Sequence, residues 1–76
     1  MELMRDLLPS LNGLVAFESA GRLSSFSAAA RELKMTQAAV SYAVSRLERQ
    51  LGTALFLREY RRVRLTEAGQ KFHAEI

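Results

Sequence analysis

The residues of this chain best suited to recognition chemistry stand close together at Thr36, Gln37, Ala38, Ser41 and Tyr42. Gln37 carries a donor and an acceptor on one amide, the pair that matches the major-groove edge of adenine. Ala38 offers a small apolar contact of the kind a thymine methyl accepts. The Ser41 hydroxyl suits a phosphate or a base, and Tyr42 can reach a phosphate with its hydroxyl or lay its ring against sugar and base. Thr36 caps a helix and sits beside free backbone amides that suit a phosphate. Gln37 taken alone is equally a solvated helix residue. Six arginines follow or flank these positions between residues 36 and 65 (Arg46, Arg49, Arg58, Arg61, Arg62 and Arg64), against only Glu48 and Glu59. Residues 1–35 are balanced, with four basic and four acidic side chains, so the formal charge of +3 is concentrated in the middle of the chain. That asymmetry points to a polyanionic partner, although by charge alone a solvated basic face accounts for it too.

Catalytic patterns are absent from the sequence. His73 is the one histidine, no G-x-S-x-G elbow occurs, and the four glycines are too scattered for a phosphate loop. No enzyme and no cofactor are expected, and His73 is expected to be exposed or at an interface. The lack of cysteine excludes disulfides and thiolate metal sites. No apolar run approaches the roughly 18 residues of a membrane span. The start Met1-Glu2-Leu3-Met4-Arg5-Asp6 carries acids and does not read as a signal peptide, so the cytoplasm is the expected location.

These side chains need elements to position them. Leu11, Leu14, Val15, Phe17 and Ala20 recur at helical spacing and predict a first helix over about 10–22, opened by Ser10 after Pro9 and closed near Gly21. Ser25 is expected to cap a short second helix with Phe26, Ala29, Ala30 and Leu33, ending near Lys34. Only Met35 and Thr36 then precede a longer amphipathic helix. Its apolar stripe is Val40, Val44, Leu47 and Leu51, its polar face Gln37, Ser41, Tyr42, Ser45 and Arg49, and Gly52 ends it as a left-handed residue. Two helices joined by so short a turn predict a helix-turn-helix. Leu55-Phe56-Leu57 and Arg62-Val63-Arg64-Leu65 predict two short strands around a tip at Arg58–Arg61. Thr66 caps a last helix that is still running at Ile76.

The expected fold is therefore mainly α: a winged helix-turn-helix of three helices and a two-stranded β wing over residues 1–65, then the start of a linker helix over 66–76. The N-terminal turn of the third helix would enter the major groove of double-stranded DNA. Ser45 and Arg49 are solvated or phosphate-bound, and Arg46 makes either a phosphate contact or a salt bridge. Arg61, nearest the tip, is favoured for a narrow minor groove, where the potential is most negative. Arg58, Arg62 and Arg64 are phosphate partners or solvated strand residues. Ala68, Phe72 and Ile76 step by four and suit a helix–helix seam in a homodimer, unless Phe72 folds back on the first helix. A protein-interaction module fits less well, because the 37–49 face lacks large apolar anchors. A membrane-surface helix over 40–51 would need the apolar stripe that the core requires.

The stretch Ser25-Phe26-Ser27-Ala28-Ala29-Ala30-Arg31-Glu32-Leu33 followed by Met35-Thr36-Gln37-Ala38-Ala39-Val40-Ser41 resembles the start of LysR-type transcriptional regulators. The likeness continues through Leu47-Glu48, Leu51-Gly52, Leu55-Phe56, Arg58, Arg61, Val63, Leu65-Thr66 and Ala68-Gly69, in order and without gaps from Leu11 to about Phe72. The resemblance implies a DNA-binding domain, a long linker helix that pairs subunits, and a C-terminal domain that binds a small effector. It implies binding to interrupted palindromes near promoters. It also implies that Thr36, Gln37, Ala38, Ser41 and Tyr42 lie on the DNA-contacting helix start, Arg61 on the wing residue that enters the minor groove, and Ser27 near the phosphate backbone. The family often has Pro where this chain has Ala38, and Arg or Gln where it has Tyr42. The first departure loosens the helix start, and the second changes which bases are read.

Overall fold

The computed structural model describes residues 2–60 and 62–76, with side chains from Leu11 onward. In chain order the elements are α1 (Glu2–Leu23), α2 (Phe26–Leu33), α3 (Gln37–Leu51), β1 (Phe56–Glu59), β2 (Arg62–Leu65) and α4 (Glu67–Glu75). The winged helix-turn-helix expected from the sequence is present, and α4 follows the wing directly.

Helix α1 starts well before the expected Ser10. Glu2, Leu3, Met4, Leu7 and Leu8 all favour helix, so the chain is already helical when it reaches Pro9. Its buried stripe also differs from the expected one. Ala16, Phe17 and Ala20 are completely buried, whereas Leu11 and Val15 are each 53% exposed. The cause is the closeness of α3. A Cβ at Gly13 would stand 3.0 Å from Leu47 Cβ and 3.2 Å from the Ala43 carbonyl oxygen, so only a face of small residues admits the second helix. Leu11 and Val15 are displaced to the other side, while Leu14 packs against the edge of the core.

Local hydrogen bonds set the helix ends. Ser25 Oγ accepts from the Ala28 amide at 3.0 Å, Thr36 Oγ1 from Ala39 at 3.0 Å, and Thr66 Oγ1 from Gly69 at 2.9 Å. Such caps satisfy amides that the first turn leaves without a helical partner. Lys34 ends α2 in the left-handed region (φ 57°), and Gly52 does the same for α3 (φ 69°). At Lys34 the reversal lets the Met35 amide return to the Ala30 carbonyl at 2.9 Å, which turns the chain sharply into Thr36.

Phe26, Ala29 and Ala30 of α2, Val40, Ala43, Val44 and Leu47 of α3, and Leu55, Phe56 and Val63 of the wing complete the core. Leu51, expected in the α3 stripe, is 46% exposed. Phe17 is the aromatic centre: Phe56 meets it edge-on with ring centroids 5.6 Å apart, and Phe72 tilts against it at 5.3 Å.

The strands pair antiparallel, Phe56 with Leu65 through Glu59 with Arg62. β1 therefore continues through Arg58 and Glu59, which were expected in the tip, because the ladder hydrogen bonds persist to Arg62. Tyr60 turns the chain after β1, and Arg61, expected nearest the tip, lies outside the described residues. Thr66 ties the wing to α4, its amide donating to the Leu55 carbonyl at 2.9 Å and its hydroxyl to the Ala54 carbonyl at 2.8 Å.

Helix α4 docks on α1. The Phe72 ring turns onto Phe17, and His73 Nε2 donates to the Glu18 carbonyl at 3.1 Å. The stepped trio Ala68, Phe72 and Ile76 thus divides: Phe72 is half-buried within the domain, while Ala68 and Ile76 are exposed. Nearby, Arg22 bridges Glu18 and Glu32. The hydrogen bonds from Arg22 and then Ser19 hold the Glu32 carboxyl below its ordinary value. No helix among the described residues is long and apolar enough to cross a membrane.

Candidate nucleic-acid interface

Burial of Val40, Ala43, Val44 and Leu47 fixes which way α3 faces. With that face against α1, the other face of the first turns must look outward: Thr36, Gln37 and Ala38 are exposed, Tyr42 is 59% exposed, and Ser41 is half-buried. Of these, Gln37, Ala38 and Ser41 line one side of a cleft of about 700 Å³. Ser25, Phe26 and Ser27 of the α2 start close its end, and Arg58, Glu59, Arg62 and Val63 of the wing form the opposite wall. The fold therefore brings part of each group of sequence-predicted residues to one concave surface: Gln37, Ala38 and Ser41 of the helix start, and Arg58 and Arg62 of the wing.

Within the cleft the side chains are not independent. Ser27 Oγ donates to Gln37 Oε1 at 2.8 Å, which fixes the direction of the glutamine amide across the helix-turn-helix. Arg58 reaches back from β1 to α3, its Nη1 donating to Ser41 Oγ and its Nη2 to Ser45 Oγ, both at 3.0 Å. Its guanidinium carbon also stands 5.0 Å from the centre of the Phe26 ring, within cation–π range. Arg46 lies 6.0 Å from the centre of the Tyr42 ring, a stacking contact one helical turn along. Arg62 is exposed at the cleft wall. Arg64 is turned toward Glu59, 3.7 Å away. Arg49 is exposed at the far end of α3, beside a second depression lined by Ser45, Glu48, Gly52, Thr53 and Ala54.

Sequence reasoning overlooked Glu48. Its Oε2 accepts from the amides of Leu55 at 2.8 Å and Phe56 at 3.1 Å, and its Oε1 stands 3.5 Å from Arg58 Nη2. One carboxylate thus satisfies the two amides where the chain enters β1 and holds the arginine that returns to α3. The available signal was an acid in an otherwise basic stretch. Its partners lie beyond the Gly52 turn, out of reach of any helical spacing rule. Phe26 was likewise expected only as a core residue, and its ring also supports the Arg58 guanidinium.

Comparison with known proteins agrees with this arrangement. The family model described as "Bacterial regulatory helix-turn-helix protein, lysR family" matches residues 11–70. A glycine cleavage system transcriptional activator homolog of Haemophilus influenzae is 50% identical over 74 residues, covering 97% of this chain and 25% of the relative. The HTH-type transcriptional regulator TrpI of Pseudomonas aeruginosa is 57% identical over 65 residues, 86% of this chain and 22% of the relative. Both relatives are therefore some four times longer than the part this chain matches. Among solved structures, the CbnR_DBD-DNA complex superposes with a TM-score of 0.80 at 30% identity, covering 83% of this chain and 72% of that one.

Proposed function

The chain belongs to the LysR family of bacterial regulatory helix-turn-helix proteins, and from that premise we propose how this DNA-binding domain reads its site. The N-terminal turn of α3 enters the major groove, with Gln37, Ala38, Ser41 and Tyr42 toward the base edges. Thr36, Ser27, Ser45 and Arg46 lie toward the phosphates that border the groove, and Arg62 follows the backbone. Arg61, which the sequence places between the two strands, is assigned to the adjacent minor groove. The observation that carries this reading is the cleft itself, where the Gln37 amide, the Ala38 methyl and the Ser41 hydroxyl of one helix face Arg58 and Arg62 of the wing across a concave surface.

Residues 1–65 serve as the DNA-binding unit and 66–76 as the beginning of a linker helix. Pairing of linker helices in a homodimer would present two such units to an interrupted palindrome. Ala68 and Ile76 are exposed for that contact, and Phe72 supports it from beneath rather than joining the seam. The whole protein would act in the cytoplasm as a transcriptional regulator rather than as an enzyme, with a small effector bound to a C-terminal domain.

The test is selection of duplexes from a randomised pool, followed by binding across a salt series. An enriched interrupted palindrome, bound with a slope of about −0.9 per phosphate neutralised, is expected. Gln37→Ala should relax the preference at one base pair per half-site. Wild-type binding that no duplex sequence improves would overturn the assignment of α3 as the reading helix.

A further inference from the structure

Arg58 belongs to the wing by sequence and to the recognition helix by contact. Its two terminal nitrogens engage Ser41 and Ser45, hydroxyls one helical turn apart, and Nη2 also faces Glu48. The Phe26 ring lies 5.0 Å from its guanidinium carbon, and the other Glu48 oxygen holds the amides that open β1. The planar fork is therefore engaged by α3 and flanked by α2.

The consequence lies in the hydroxyls. A serine hydroxyl has one hydrogen and two acceptor lone pairs. Where Arg58 fills a lone pair, the hydrogen remains to be donated elsewhere. Among the described residues neither Ser41 nor Ser45 donates a hydrogen bond, so both hydrogens remain to be donated, that of Ser41 from a residue that lines the cleft and that of Ser45 one turn further along α3.

We propose that Arg58 is a positioning residue that sets Ser41 and Ser45 as outward donors and holds the wing at a fixed distance from α3, rather than neutralising a phosphate itself. The inference rests on the DNA-binding reading above and adds a polarity to it. At these two positions the domain selects hydrogen-bond acceptors on the duplex: a phosphate oxygen, or a base acceptor such as guanine O6, thymine O4 or a purine N7. The cytosine amino group, a donor, is disfavoured there.

Arg58→Lys and Arg58→Met distinguish positioning from phosphate contact. Lysine keeps the charge but cannot span two hydroxyls as a fork does. The probe is a duplex enriched by the wild-type chain, titrated across a salt series, with thermal unfolding as the check on folding. If Arg58 positions the serines, both variants bind roughly tenfold more weakly, and Met keeps the wild-type salt slope. Adding Ser41→Ala to Arg58→Met then costs little more, because the serine has already lost its orientation. If Arg58 contacts a phosphate, Lys binds nearly as well as wild type and Met loses about 0.9 from the slope, which overturns the proposal. Should the Met variant fail to fold, the Lys variant decides alone, since near-wild-type binding by Lys is incompatible with a fork.

Repeating the selection with the Lys variant separates the two acceptor sources. A lost preference at one base pair puts the donor on a base, and uniform weakening with unchanged preference puts it on a phosphate. Either supports the inference. A wild-type chain that enriches no duplex overturns the DNA-reading assignment and this inference together, whereas a lysine variant equal to wild type overturns only the role of Arg58.

Discussion

At the α2–α3 junction, Ser25 and Thr36 each cap a helix through an amide three residues on, and Phe26, Ala29, Ala30, Val40 and Val44 close the angle between the helices by burial. Across the cleft, the wing places Leu55, Phe56 and Val63 in the same core but reaches α3 through polar groups: Glu48 to two β1 amides, and Arg58 to two serines. Both regions are short and both face the cleft. The first is held by short-range caps and apolar area, the second by apolar area together with the hydrogen bonds of two charged side chains, Glu48 and Arg58. The contrast assigns the angle of the reading helix to apolar burial, and the distance of the wing from it to the Glu48 and Arg58 hydrogen bonds.

The strongest way to break that contrast is to remove what both regions share. Phe17 is completely buried and touches Phe56 of the wing, Phe72 of α4 and His73. Phe17→Ala should cost about 3–5 kcal/mol, a large share of the roughly 5–15 kcal/mol of a typical domain. Urea denaturation would show the helix pair and wing lost in one transition. Separate transitions would mean that the two regions do not share a core.

A smaller change should separate them. Glu48→Ala leaves the Leu55 and Phe56 amides without their acceptor and should cost about 1–3 kcal/mol. Amide hydrogen exchange should accelerate at Leu55 and Phe56 while Val40 and Val44 keep their protection. Equal acceleration at both places would deny the wing its separate attachment.

The smallest expected effect is on the other side of the cleft. Thr36→Ala removes the cap on Ala39 and should cost about 1 kcal/mol, with Thr36→Ser restoring most of it. Faster exchange is expected at Ala39 and the first turn of α3, with the β1 amides unmoved. If wing protection fell as well, the two regions would be coupled more tightly than their contacts indicate.

The sequence by itself determined the local features. Ser25, Thr36 and Thr66 as caps, Gly52 as a left-handed end, the α2–α3 pair and the β2 strand all follow from interactions within a few residues, where residue type and spacing carry the information. The outward set Gln37, Ser41 and Tyr42 was legible for the same reason, because a helix with one apolar stripe must expose the opposite side. Only the tertiary structure decided which face of α1 is buried. Leu11 and Val15 match the helical period as well as Phe17 does, and the close approach of α3 over Gly13 chose between them. It also decided the partners of Glu48, Arg58 and Phe72. A long side chain can point toward solvent, a neighbouring strand or another helix at nearly the same local cost, and the choice depends on groups that arrive from elsewhere in the chain.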